Sequence, residues 1–174
     1  MKKIHPSILV LASVVALTLF TLAGVPRALG ETPQPIHWTA TATTMSLPLS
    51  KGSKVLAKIA ASIAPGWHLY AFDQQPGGPL PTNVSLAAGQ AFTSAGPIGE
   101  STPKTEFDSN FNLSTRIFED TAVFTVPARV SGAVSASSPK LMIDVAFQTC
   151  NDRMCLPLTV VHLVAPVRVN EARR

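Results

Sequence analysis

Hydrophobic and polar positions alternate along much of this chain in short runs, the period of strands that bury one face. Residues 36–46 place Trp38, Ala40, Ala42 and Thr44 on one side. Residues 121–130 read Thr-Ala-Val-Phe-Thr-Val-Pro-Ala-Arg-Val, and residues 141–147 and 159–164 are rich in branched and aromatic side chains. Residues 83–86 give a weaker strand signal. Residues 54–64 fit two periods. Val55, Ala57, Ile59, Ala61 and Ile63 alternate, whereas Leu56, Ile59, Ala60 and Ile63 share a helical face. The neighbouring strands, not the periodicity, assign this segment as a strand. Turn clusters fall between the runs, at Pro65-Gly66, Pro76-Gly77-Gly78-Pro79, Gly96-Pro97-Ile98-Gly99 and residues 135–139. Several short strands with regular turn signals predict an all-β sandwich.

Proline usage strengthens that reading. Of the 15 prolines, all but Pro6 and Pro26 lie beyond the first thirty residues, and an interior proline costs a helix about 3 kcal/mol. The 174 residues are 46% hydrophobic and 14% charged, which excludes a disordered chain and fits one domain. Charge needs one correction. Lys2, Lys3 and Arg27 account for three of the formal +4, leaving +1 from Glu31 onward. The other cations are scattered among the acids with no aromatic interleaving, so nucleic acid is not expected as a partner. Two cysteines and four histidines leave little material for a zinc cluster, and neither a metal nor a cofactor is expected.

Lys2 and Lys3 precede an uncharged run from Ile8 to Phe20, and Ala28-Leu29-Gly30 supplies small residues before a polar stretch. This pattern predicts a secretory signal peptide over residues 1–30 and a mature domain over 31–174. The alternative is an uncleaved membrane anchor, since residues 8–25 reach the lower limit of a bilayer span. Export places Cys150 and Cys155 in an oxidising compartment, the periplasm of a bacterial cell.

The cysteines sit in Phe147-Gln148-Thr149-Cys150-Asn151-Asp152-Arg153-Met154-Cys155-Leu156-Pro157. A strand runs into Cys150, four turn-type residues follow, and a second strand leaves after Pro157. Opposed positions of a short hairpin lie close enough for a disulfide. A ring this small adds only about 2 kcal/mol of stability, and a loop tip is open to a partner's thiol. Spacing alone leaves the choice between a redox pair and a structural staple open. A thioredoxin site is disfavoured by the four-residue spacer and the missing βαβ pattern. Cys150, Cys155 and Met154 would suit Cu(I) by softness, but only if the pair stayed reduced. A cysteine protease is disfavoured because His162, seven residues from Cys155, falls on the other face of the exit strand. His68 and His37 read as polar residues at the sandwich edge.

Several ordered segments carry a family likeness. They are Gly66-Trp67-His68-Leu69-Tyr70, Thr105-Glu106-Phe107, Ile117-Phe118-Glu119-Asp120 with Val123-Phe124-Thr125-Val126-Pro127, and the borders Phe147-Gln148-Thr149-Cys150 and Cys155-Leu156-Pro157. Together, over about residues 54–169, they resemble the N-terminal periplasmic domain of the transmembrane thiol:disulfide interchange reductase DsbD. The resemblance implies an immunoglobulin-like β-sandwich with a redox-type cysteine hairpin and a cap loop. It also implies a protein-disulfide reductase component that relays electrons through a reversible Cys150–Cys155 disulfide. Cys155 would bond the partner and Cys150 would resolve the mixed disulfide. Phe107 at the tip of Thr105-Glu106-Phe107 would shield the pair, with Tyr70 as a wall and Glu106 beside it; Phe111 is the alternative cap. The implied partners are thioredoxin-like exported oxidoreductases and a separate membrane electron donor, with the domain a monomer. Three departures touch partner choice: the spacer is one residue short of the best-known member, extra residues follow Phe107, and Leu158 stands where a second proline is common. Two rivals remain, a non-catalytic binding or assembly domain with a structural hairpin disulfide, and a copper-handling protein.

Overall fold

The computed structural model describes residues 34–45, 47–135 and 137–169; the expected signal peptide over residues 1–30 lies outside them. The described residues are all-β. The larger sheet is built from β1 (Ile36–Thr44), β2 (Lys54–Ile63), β4 (Asn83–Leu86), β5 (Phe92–Ser94), β6 (Gly99–Glu100), β9 (Thr121–Val130), β10 (Lys140–Phe147) and β13 (Thr159–Val169). Its order is β4-β10-β13-β1-β2-β9-β5, with β6 also on β9. The smaller sheet holds β3 (His68–Tyr70), β7 (Lys104–Asp108), β8 (Leu113–Phe118), β11 (Thr149–Asn151) and β12 (Met154–Cys155), in the order β12-β11-β3-β8-β7. Among the described residues only β1 and β13 pair in parallel; the other ladders are antiparallel.

The ambiguous segment is a strand. β2 pairs β1 from Ile36↔Ile63 to Thr44↔Val55 and pairs β9 on its other side. Val55, Ala57, Ile59, Ala61 and Ile63 are buried, so the alternating set faces inward. Two-sided pairing decides the matter: as a central strand, β2 satisfies its backbone on both edges. The exit strand β13 runs to Val169, five residues beyond the segment the pattern marks.

The core lies between the inner face of the larger sheet and one face of the smaller. Phe124 is at its centre, stacked on Phe72 at 5.2 Å and touching Trp38 and Phe118 at 6.0 and 5.9 Å between centroids. Leu69 of β3 and Phe118 of β8 join this cluster from the smaller sheet. Because side chains alternate, the next residues on those strands, Tyr70 and Ile117, must point the other way. They form a second buried cluster with Cys150, separate from the main core. The smaller sheet is thus buried on both faces, and its second face carries the cysteines.

Candidate functional site

The chain reaches the cysteines by changing sheets. Phe147 still pairs Thr159 in the larger sheet, and two residues on Thr149 pairs Leu69 in the smaller one. Gln148 is the crossover; its side-chain carbonyl accepts from the Leu80 amide at 3.0 Å. The hairpin is tighter than the expected four-residue turn. Cys150↔Cys155 and Asn151↔Met154 are paired, so only Asp152 and Arg153 form the turn. Asn151 stabilises it, its Oδ1 accepting from the amides of Arg153 and Met154, both at 2.9 Å. This is the local capping that favours asparagine in turns. Cys150 and Cys155 form a disulfide with their Cα atoms 4.0 Å apart. Cys150 is fully buried, whereas Cys155 is half-buried.

The cover comes from the loop joining β7 and β8. Phe111 packs against the cluster of Tyr70, Ile117 and Cys150, its ring edge-on to Tyr70 at 6.1 Å and 89°. Asn110, beside it, donates from Nδ2 to the Asn151 carbonyl at 3.0 Å and ties the loop to the cysteine hairpin. Phe107 lies outside the Tyr70–Cys150 cluster, at the small cavity beside His68 and Asp108. The register Tyr70↔Ile117 and Ile117↔Lys104 puts Lys104, Glu106 and Asp108 on the cysteine face, and so turns Phe107 to the opposite side. It is 62% exposed. Of the residues singled out from the sequence, the structure brings together Cys150, Cys155, Tyr70 and Phe111. Glu106 shares their face at its exposed margin, bonded to Lys104 at 3.2 Å.

A buried polar chain adjoins the disulfide. The Tyr70 hydroxyl donates to Asp108 Oδ2 at 2.6 Å, and His68 Nε2 lies 2.9 Å from the same hydroxyl. Asp108 also accepts the Asn110 amide through Oδ1 at 2.9 Å, which links this chain to the cover loop. Burial and the bond to Asp108 push the Tyr70 phenol well above its ordinary range. Burial pulls the His68 imidazole down, partly opposed by the negative charges of Asp108, Glu119, Asp152 and Glu106. A cavity of about 60 Å³ lies here, lined by His68, Glu106, Asp108, Ile117, Glu119 and Asp152 among others. A larger cavity of about 430 Å³ is on the bigger sheet, near Thr43, Leu56 and Pro127, and shares no residue with the cysteine site.

Asp108 and His68 escaped the sequence reading. Asp108 follows the Glu-Phe pair and looks like one more loop acid. Only the register of β7 against β8 shows that it faces inward. His68 carried a usable signal: it stands two residues before Tyr70, so any strand that buries Tyr70 puts both on one face. His162, on β13, bonds Asp144 at 2.7 Å and stands apart from the cysteines.

Residues 37–163 match the sequence model of the family described as thiol:disulfide interchange protein DsbD, N-terminal. The chain belongs to this family. The fold agrees with that of the N-terminal periplasmic domain of ScsB from Proteus mirabilis, with a TM-score of 0.54 at 18% identity. That alignment covers 76% of this chain and 47% of the other, so this chain spans about half the length of the protein it matches. The reduced form of the Neisseria meningitidis DsbD N-terminal domain aligns at 12% identity and a TM-score of 0.46, covering 73% of this chain and 83% of that one. A search of curated proteins finds no match.

Proposed function

We propose that this protein is a periplasmic thiol:disulfide interchange module, exported by residues 1–30, that relays electrons through Cys150–Cys155. The observation that carries the reading is the asymmetry of the pair: one cysteine fully buried in a cluster that an aromatic ring from a separate loop packs against, its partner half-buried. A bond that served only stability would gain little from a ring of this size. A bond with one approachable sulfur is suited to exchange, whose rate depends on access and on the leaving thiol.

The chemistry follows from that asymmetry. A thiolate of a thioredoxin-like donor attacks Cys155 Sγ, the S–S bond breaks, and its electron pair leaves on Cys150 Sγ. The donor's second thiol then displaces Cys155, and the donor departs oxidised by two electrons. In the second half-reaction Cys155 attacks the disulfide of an exported oxidoreductase, and Cys150 resolves the mixed disulfide. The acceptor leaves reduced. The donor is taken to be recharged by a membrane-embedded partner. Family membership and the retained cysteine hairpin support the interchange role.

Cys150→Ala removes the resolving thiol and leaves Cys155 to attack. The variant is expected to accumulate a covalent complex with an exported thioredoxin-like protein, visible on non-reducing gels, while Cys155→Ala accumulates far less. Absence of any trapped partner with Cys150→Ala would favour a binding domain with a structural disulfide.

A further inference from the structure

Ionisation of the buried sulfur, if the pair exchanges as proposed above, depends on its neighbours. His68 and Cys150 are direct partners in the β3–β11 ladder. Opposed side chains share a face, with Cβ atoms about 4.5–5.5 Å apart. The pairing is pinned, because Thr149 Oγ1 donates to the His68 carbonyl at 2.7 Å. Hydrogen-bond directions then fix the ring. The Tyr70 hydroxyl spends its proton on Asp108, so its oxygen accepts, and His68 Nε2 must be the donor. A neutral imidazole protonated at Nε2 has Nδ1 as its basic atom, and Nδ1 makes no hydrogen bond among the described residues. Asp108, by contrast, is engaged at both oxygens, by Tyr70 and by the Asn110 amide.

We propose that His68 is the proton acceptor for Cys150, so that reduction of the disulfide leaves an imidazolium beside a Cys150 thiolate. When the donor attacks Cys155, Cys150 departs as thiolate and a proton released by the donor's thiols passes to His68 Nδ1. The second proton ends on Cys155 Sγ, so two electrons and two protons have moved. In the opposite half-reaction the same thiolate is ready to resolve the mixed disulfide, and His68 returns its proton. The groups facing the ring are Tyr70 on its own strand, Asp108 and Glu106 on β7, Glu119 after β8, Asp152 in the hairpin turn, and the cysteines themselves. The nearby cation Lys104 is paired with Glu119 and Glu106, so Asp108 and Asp152 are the acids left to favour an imidazolium, against the burial that disfavours it.

The test uses the full chain carrying Cys155→Ser, in which Cys150 is the sole thiol, and follows thiolate absorbance against pH. His68→Gln keeps an N–H donor for the Tyr70 oxygen but cannot take a proton. The expected result is an about tenfold smaller thiolate fraction at neutral pH, the equivalent of one pKa unit, with the difference closing once pH passes the ordinary thiol value of about 8.5. Identical titrations with and without His68→Gln would overturn the proposal. So would a loss of thiolate in Asp108→Asn but not in His68→Gln, which would make the carboxylate the acceptor. Unfolding temperature of each variant separates a lost fold from a lost proton acceptor, because a misfolded His68→Gln chain moves both. In that event His68→Phe, matching the ring's bulk, is titrated and must show the same loss. Failure of the exchange reading looks different: no partner is trapped by Cys150→Ala, yet the His68-dependent titration persists.

Discussion

Replacing Phe111 with alanine tests whether its ring limits access to the disulfide. Phe111 is half-buried, edge-on to Tyr70, and packed on the cluster that contains Cys150. An aromatic pair of this geometry contributes about 0.5–1.5 kcal/mol beyond area burial. A fully buried phenylalanine costs about 3–5 kcal/mol when cut to alanine, so a half-buried one should cost about 1.5–2.5. If a ring contact at the upper end of that range, about 1.4 kcal/mol, holds the loop against the Tyr70–Cys150 cluster, the open fraction is roughly tenfold smaller than without it. Phe111→Ala should therefore speed reduction by a small dithiol about tenfold, read by quenching with an alkylating agent over a time course. Phe107→Ala provides the comparison. With its ring 62% exposed and on the opposite side of β7, it should change neither the rate nor stability by more than about 0.5 kcal/mol. A cap role for Phe111 is refuted if Phe107→Ala accelerates reduction and Phe111→Ala does not. Equal rates in all three proteins would mean that neither ring limits access.

Two further outcomes follow from the same site. Tyr70 is the single tyrosine of the chain, and burial with the Asp108 bond raises its phenol, so its ionisation is a clean optical signal. A group whose folded value lies above the unfolded one stabilises fully below the unfolded value, about 10, and less as pH rises past it. Unfolding free energy should thus fall above pH about 10, phenolate absorbance should appear only on unfolding, and Tyr70→Phe should remove the alkaline loss; phenolate titrating near 10 in the folded protein would contradict this. Reducing the disulfide should cost about 2 kcal/mol by loop closure and leave the sandwich folded, as measured by denaturant titration with and without reductant. A loss above about 4 kcal/mol would mean that the hairpin staples the fold, against a purely local role.

Much of the larger sheet was legible because its strands are long and bury one face. β9 alternates through ten residues, and β10 places Leu141, Ile143, Val145 and Phe147 inward without a break. The smaller sheet was harder to read for a physical reason. β3, β11 and β12 hold two or three residues each, too few for a period, and both faces of this sheet are covered. Motif likeness supplied what periodicity lacked at Tyr70 and the cysteines. It could not choose between Phe107 and Phe111, since residues four apart on a hairpin are separated by strand parity and by where the turn falls. The structure places that turn at residues 109–112, after Asp108, and so leaves Phe107 in the strand and Phe111 in the loop.

The same parity ties the Phe111 loop to the buried polar chain. Asp108 is the last residue of β7, and its carboxylate holds the Tyr70 hydroxyl on one side and the Asn110 amide on the other. Asn110 in turn grips the Asn151 carbonyl, next to Cys150, and Phe111 follows it onto Tyr70. If the loop lifts for a partner, that movement must break the Asn110 bond to the cysteine hairpin and loosen the environment of the Tyr70–Asp108 pair. Water reaching that pair would lower the desolvation that holds His68 neutral, since burial is the largest influence on the ring. Opening for a partner and the readiness of His68 to take a proton beside the Cys150 thiolate would then rise together, coupling access to ionisation through a single hydrogen-bonded loop.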